Sequence, residues 1–554
     1  MPPAIQTISG QIIDIRNREI FPGRLEIRKQ NIDKVIRLES APDRYILPGF
    51  IDAHVHIESS MLVPSEFARL AVCHGTVATV SDPHEIGNVL GVEGVQYMIE
   101  NGKKVPFKFY FGAPSCVPAT AFETAGAEIS VKDIRALMKD PQVKYLAEMM
   151  NWPGVLNRDE EVLAKLKAAQ EVNKPVDGHA PGLKGEQAAQ YIGGGGLERE
   201  VIISTDHECF TLEEALDKLK YGMKIVIREG SAAKNFEALI PLIKEYPDRI
   251  MFCSDDKHPD NLVEGHINEL VKRALRKGYD LFDILRAACL NPIEHYNLEI
   301  GTLREGDFAD FIVIDNVKDF KVKSTFINGE LVFDGTQTMI PQVENEIVNR
   351  FGCAPINSED IVLEASGSNK IRVIQANDGQ LITNQIEGHV QYSTTGNLIA
   401  DVDRDILKLV VVNRYTTANP SVAFIKGFGL KKGALASSVA HDSHNIIAVG
   451  VADNDIVKAI NEVIRYKGGV SATNGSSIEC VPLPVAGLMS GEDGFLVARD
   501  YSSIDSFVKS LGSTLSSPFM TLSFMALLVI PELKLSDKGL FDGTHFQFVD
   551  LSVC

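Results

Sequence analysis

Paired cysteines are missing from this chain. Its eight cysteines are scattered, with no C-x-x-C. That argues against a disulfide framework or a structural zinc knuckle and fits a reducing, cytoplasmic setting. Basic charge is in deficit: 55 Lys and Arg face 74 Asp and Glu, a formal charge of −19. An acidic surface repels phosphate backbones and anionic lipid, so neither nucleic acid nor membrane is an expected partner. No basic-then-apolar stretch opens the sequence, so no export signal is expected. The charge-free stretch from Leu511 to Pro531 contains two prolines, a glycine and many hydroxyl residues. It predicts a buried core helix rather than a membrane span. The run Gly193–Gly196 has no Gly-Lys-Ser/Thr after it, so it reads as a loop or helix stop, not a phosphate cradle.

What is present is enough for two or three packed domains: 554 residues, 45% of them hydrophobic. From residue 48 onward the pattern alternates between strand and helix. Eight strand candidates stand out: Phe50–His56, Thr76–Val80, Phe107–Phe111, Val143–Met149, Pro175–Gly178, Val201–Ser204, Lys224–Arg228 and Ile250–Ser254. Helical patterns lie between them, as at Ser65–Cys73, Val131–Lys139, Arg158–Glu171, Thr211–Lys220 and Asn235–Glu245. Eight βα units in this length predict an α/β fold, a (β/α)8 TIM-type barrel. A doubly wound open sheet usually has fewer strands, and no G-x-G-x-x-G follows the first one. Short strands at Gln11–Ile15, Arg24–Arg28 and Asp33–Leu38 precede the barrel; others, at Phe311–Asp315, Thr325–Ile327 and Glu330–Phe333, follow it. We expect residues 1–48 and 300–350 to form one composite small β domain beside a barrel of residues 49–299. Residues 355–554 are expected to form a further α+β domain over the active site. Its strands are expected at Ile371–Gln375, Leu407–Asn413, Val422–Lys426 and Asn445–Gly450, its helices at Asn454–Tyr466 and Ser503–Leu511.

The most telling segment is Pro48-Gly49-Phe50-Ile51-Asp52-Ala53-His54-Val55-His56. Residues two apart on a strand share a face, so both imidazoles project side by side, about 7 Å apart at the backbone. That spacing suits two ligands on one metal ion. Alone, it could equally be a solvated strand face. Barrel sites form at the C-terminal ends of the strands, and polar residues gather there. Strand two runs into Ser81-Asp82-Pro83-His84-Glu85, and strand four ends in Glu148. Strand five ends in Asp177-Gly178-His179, strand six in Asp206-His207-Glu208, strand seven in Arg228-Glu229 and strand eight in Asp255-Asp256. Four imidazoles and two carboxylates at one mouth match a site for two divalent ions with a carboxylate able to bridge them.

The segment from Pro48 through Ile57-Glu58-Ser59-Ser60, then Ser81-Asp82-Pro83-His84-Glu85-Ile86-Gly87-Asn88, then Ala440-His441-Asp442-Ser443-His444-Asn445 together resemble the bacterial adenine deaminases, within the amidohydrolase superfamily. The resemblance implies that His54 and His56 hold one ion, His179 and His207 the other, and Glu148 bridges them. Lys144 shares a strand face with Glu148 but lies roughly 13 Å deeper, too far to replace it. Asp255 would touch the first ion and carry protons, with Asp256 as the neighbouring alternative. The implied reaction is hydrolysis of adenine to hypoxanthine and ammonia in purine salvage, by metal-activated hydroxide attacking C6. Glu208 and His84 are candidate acids for ring N1, with Asp82 and Ser81 at the purine edge. His441, Asp442 and His444 would serve as a lid or as supporting groups. Manganese is the favoured metal, with iron or zinc as alternatives. Trp152 reads as packing, with stacking on substrate open. A homo-oligomer is compatible with the sequence. Two rival readings stand beside this one: an amidohydrolase acting on a cyclic amide or another aminated heterocycle, and a non-catalytic scaffold.

Overall fold

The structure, a computed structural model, describes residues 5–197, 201–364 and 370–553. Eight parallel strands pair in chain order: Phe50–Val55, Thr76–Ser81, Lys108–Ala113, Val143–Met149, Val176–Gly178, Ile203–Asp206, Lys224–Arg228 and Ile250–Cys253. The ring closes where Val55 bridges Asp255 in parallel and the Asp255 N–H donates to the His54 carbonyl at 3.0 Å. The expected (β/α)8 barrel is therefore present. Its first two strands are buried along their whole length, as parallel strands covered on both faces must be. Gly193–Gly196 does end a helix, Gly185–Ile192.

A seven-stranded sheet draws on both sides of the barrel. Ile5–Asp14, Glu19–Arg28, Asn31–Arg37 and Tyr45–Pro48 come before it; Phe311–Ile314, Val322–Ile327 and Glu330–Phe333 come after. Tyr45–Pro48 is the joint, pairing parallel with Ile5–Asp14 and antiparallel with Phe311–Ile314.

Beyond residue 370 an eight-stranded sheet is built around Ile406–Val412 and Ile446–Gly450. Val410 and Val412 face the helix Asp453–Tyr466, packing with Ile456, Ile460 and Val463. Those helix residues recur at i, i+4 and i+7, one face of a helix, and each buried side chain contributes about 1.5–3 kcal/mol. Leu409 and Val411, on the opposite face, join the barrel's own core. Period-two alternation thus attaches this sheet to the barrel.

Two expected elements differ. The second helix spans Gly494–Ser510, starting nine residues before Ser503, because the Asp493 carboxylate accepts from the Phe495 and Leu496 N–H groups. Leu511–Pro531 is not one core helix: only Pro518–Ser523 is α-helical, followed by a 3-10 turn at Phe524–Ala526. Pro518 opens the helix and disfavours helical geometry in the residue before it. No helix among the described residues is long and apolar enough to cross a membrane.

Candidate active site

The site begins with a lock between the first and last barrel strands. Asp52 Oδ1 accepts from the Ser254 N–H at 3.0 Å and lies 3.4 Å from the His54 N–H nitrogen. Asp52 Oδ2 takes the Ser254 hydroxyl and lies 2.7 Å from His266 Nε2. His266 Nδ1 in turn meets the Thr76 hydroxyl at 2.7 Å. This fully buried network sets the height of His54 against Asp255 across the seam.

Above it, the expected ligands converge. His54 Nε2 and His56 Nε2 are 3.2 Å apart, and Asp255 Oδ1 lies 3.5 and 3.1 Å from them. Glu148 spans the centre. Its Oε1 is 3.4 Å from His56 Nε2, and its Oε2 is 2.8 Å from His179 Nδ1 and 3.3 Å from His207 Nε2. Imidazole nitrogens and carboxylate oxygens this close, all buried, form overlapping sets able to hold cations. His54 Nδ1 and His179 Nε2 are buried and find no hydrogen-bond partner among the described residues. Burial works against the Glu148 charge, but His179 and His207 hold its carboxyl well below the usual range. Burial likewise opposes the Asp255 charge, and Arg228 with His54 and His56 holds it well below.

Asp255 and Asp256 part company here. Asp255 has positive φ (53°), and that bend turns its carboxylate to the imidazoles. Asp256 Oδ1 instead accepts from the Ser59 hydroxyl at 2.6 Å. Burial and the neighbouring Asp255 charge push its carboxyl up.

Three expected site residues are engaged by other protein groups in the structure. Ser81 is not among the cavity-lining residues; its hydroxyl pairs with Thr79 at 2.8 Å. Asp82 does not line the cavity either. Its Oδ1 accepts from the His84 N–H at 3.1 Å and its Oδ2 from the Glu148 N–H at 3.3 Å, so it positions those two residues. Glu208 is ion-paired with Arg228. Burial disfavours its charge, yet Arg228, His179 and His207 bring it down to about 2. For His84, burial opposes its charge, but Asp82, Glu85 and Asp442 raise it well above the ordinary imidazole value. Its Nδ1 lies 3.4 Å from Glu148 Oε1 and its Nε2 3.7 Å from Asp442 Oδ1.

The C-terminal domain enters through Glu85, a residue to which sequence reasoning gave no role. One Glu85 oxygen meets His441 Nδ1 and the other meets His444 Nε2. Arg228 was the other omission; the signal was its place at the end of strand seven. Leu381, Phe524 and Leu527 line the cavity with apolar surface, and its volume is about 30 Å³. A second cavity of about 960 Å³ shares Met150 with it and is lined by Trp152 and Phe546. Of the histidines given no role, His258 bonds Tyr501 at 2.5 Å and His295 the Ser204 hydroxyl at 3.2 Å.

Comparison with known proteins decides the family. Residues 45–332 match the amidohydrolase family model, and residues 380–547 match the adenine deaminase C-terminal domain. The chain is 56% identical to the adenine deaminase of Salinibacter ruber over 99% of both chains. It is 57% identical to that of a Sulfurovum species, over 98% of this chain and 99% of the relative. The chain belongs to the adenine deaminase family of the amidohydrolases. Family membership implies divalent-metal binding, and the donor set at the barrel mouth fits it. Among solved structures, an adenosine deaminase from Xanthomonas campestris with bound zinc aligns at TM-score 0.44 and 15% identity. That alignment covers 61% of this chain and 94% of the other.

Proposed function

We propose that this chain hydrolyses adenine to hypoxanthine and ammonia at the barrel mouth, in purine salvage in the cytoplasm. The observation that carries the reading is Glu148 standing between His54/His56 and His179/His207, in a chain whose full-length relatives bear the adenine deaminase name. His54, His56 and Asp255 would hold one divalent ion, His179 and His207 the other, with Glu148 shared. Manganese is favoured, with iron or zinc as alternatives, since imidazole plus carboxylate suits all three. Bound there, such ions act as Lewis acids and bring the pKa of water to about 7.

The side chains do the rest. Ionised Asp255 accepts the proton of the attacking water and delivers it to the exocyclic nitrogen as the C6–N bond breaks. His84, kept protonated by Asp82 and Glu85, supplies the hydrogen bond or proton to N1. Arg228 keeps Asp255 and Glu208 ionised. A purine is larger than the cavity, so Leu381, Phe524 and Leu527 move aside for entry, and the 960 Å³ cavity beside Met150 offers the route.

The test is ammonia release and hypoxanthine formation from adenine by the metal-loaded protein. Absence of adenine turnover, with turnover of a dihydropyrimidine or hydantoin, would assign the site to cyclic amides instead.

A further inference from the structure

Two cavities meet at Met150. The smaller is lined by Glu148, His56, His179 and His207; the larger, about 960 Å³, lies between barrel loops and the C-terminal domain. Met150 lines both, and among the described residues no other does. Strand alternation places it there. Residues two apart on a strand share a face, so the fourth strand sends Glu148 to the centre of the smaller cavity and Met150 to its rim, just past the strand's end. The Trp152 N–H then donates to the Met150 carbonyl at 2.8 Å, and Trp152 lines the larger cavity.

The rest of the wall is pinned. Leu381 lines the smaller cavity and Ile382 the larger, and the Leu381 carbonyl accepts from buried Lys534 at 2.7 Å. His179 and Pro181 straddle the wall in the same way, and the His179 N–H donates to the Tyr191 hydroxyl at 3.0 Å. Shifting either backbone segment breaks a buried hydrogen bond, which is costly. Met150 is unbranched and its side chain has no N–H or O–H to satisfy, so it changes rotamer at little cost.

The larger cavity has the chemistry of a site for a flat heteroaromatic base. Its volume lies toward the upper end of the roughly 300–1,000 Å³ of small-molecule pockets. Trp152, Phe546, Met149 and Val117 give it aromatic and apolar surface, on which a base lies by its π-face. Asn151 adds polarity. Its carboxamide oxygen accepts from the Gly154 N–H at 2.9 Å, leaving its two N–H donors for the ring-nitrogen acceptors of a purine.

We propose that this cavity is a first binding site for the purine base, and that the Met150 side chain is the gate through which the base passes to the donors at the barrel mouth. The inference deepens the adenine reading above and rests on it. A base held beside Trp152 waits one side chain away from the cavity that Glu148 lines. Turning Met150 opens the passage while the hydrogen bonds of Leu381 and His179 stay made.

Trp152 is the chain's single tryptophan, so intrinsic fluorescence reports on this cavity. Stopped-flow mixing of the metal-loaded full chain with hypoxanthine, the unreactive product, should change that fluorescence in two phases. The first should have a rate linear in hypoxanthine concentration, from binding in the larger cavity. The second should level off at a limiting rate, from passage. Met150→Phe should keep the first phase and lower the limiting rate by about tenfold or more, since added bulk in a packed wall is costly. Met150→Ala should raise that rate, which covers a phenylalanine variant that does not fold. Metal per chain should be the same in all three proteins. Hypoxanthine binding seen by calorimetry with no Trp152 signal, or with a single phase, overturns the first site. A limiting rate equal in the native protein and both variants overturns the gate. Adenine turnover is assayed alongside: a native protein that binds hypoxanthine but releases no ammonia from adenine strikes the proposed function instead.

Discussion

Arg228 and Asp255 form a buried ion pair at the ends of the seventh and eighth barrel strands. The same guanidinium nitrogen reaches Glu208 Oε1. The contact to Asp255 is an ion pair rather than a well-angled hydrogen bond, which leaves that carboxylate free to turn toward a cation. One buried positive charge thus serves two carboxylates, and their ionised state depends on it.

Replacing Arg228 with Met removes that charge and leaves two buried carboxylates facing each other. Losing one partner of a buried pair costs about 3–5 kcal/mol. Calorimetric melting of metal-stripped protein should show the loss, and metal loading should recover part of it. An unchanged melting temperature would show that the carboxylates do not depend on Arg228.

Glu148→Gln removes the carboxylate placed between the two imidazole pairs. Metal per chain, measured by elemental analysis after loading, should fall below the native level, and adenine turnover should be nearly abolished. Full occupancy by two ions would mean that Glu148 is not shared.

Asp255→Asn should keep metal but lower kcat by about 10²–10⁴-fold, the span of a lost proton carrier. Asp256→Asn should be far milder in kcat, because Asp256 is engaged by Ser59 rather than by the imidazoles. A reversed order, read from steady-state kinetics, would make Asp256 the proton carrier.

Lys534 gives a stability prediction. Its ammonium is fully buried and donates to the Leu381 and Phe524 carbonyls at 2.7 and 3.0 Å, fastening two segments that roof the cavity. Burial lowers its pKa to about 7 from the ordinary 10.5. Below about 7 both folded and unfolded chains carry the proton, and between about 7 and 10.5 only the unfolded chain does. Stability therefore rises with pH across that window, by up to about 1.4 kcal/mol per pH unit. Denaturant titrations should show native protein gaining on Lys534→Met as pH rises from about 7. A constant difference would place the titration elsewhere.

The barrel and the imidazole and carboxylate residues at its mouth were legible because both depend on short-range order. Alternation along Phe50–Val55 puts His54 and His56 on one face, and strand ends in a (β/α)8 barrel share one mouth. Strands such as Ala434–Ser437 and Gly469–Thr473 escaped notice because their small and polar residues lack a strand's apolar, β-branched signal. The stretch Leu511–Pro531 read as a helix because composition reports burial, not shape.

Strand periodicity and local chemistry were thus enough for the fold class and the six residues at the barrel mouth, and the wording of three motifs carried the family resemblance. Folding alone settled which of two adjacent aspartates faces the imidazoles, through the bend at Asp255. Folding also made Glu208 an ion-pair partner of Arg228, and brought Glu85 to His441 across 356 positions of chain. The first two are set by backbone geometry and strand neighbours within the barrel, the third by the packing of the C-terminal domain on it, and no spacing along the chain encodes them.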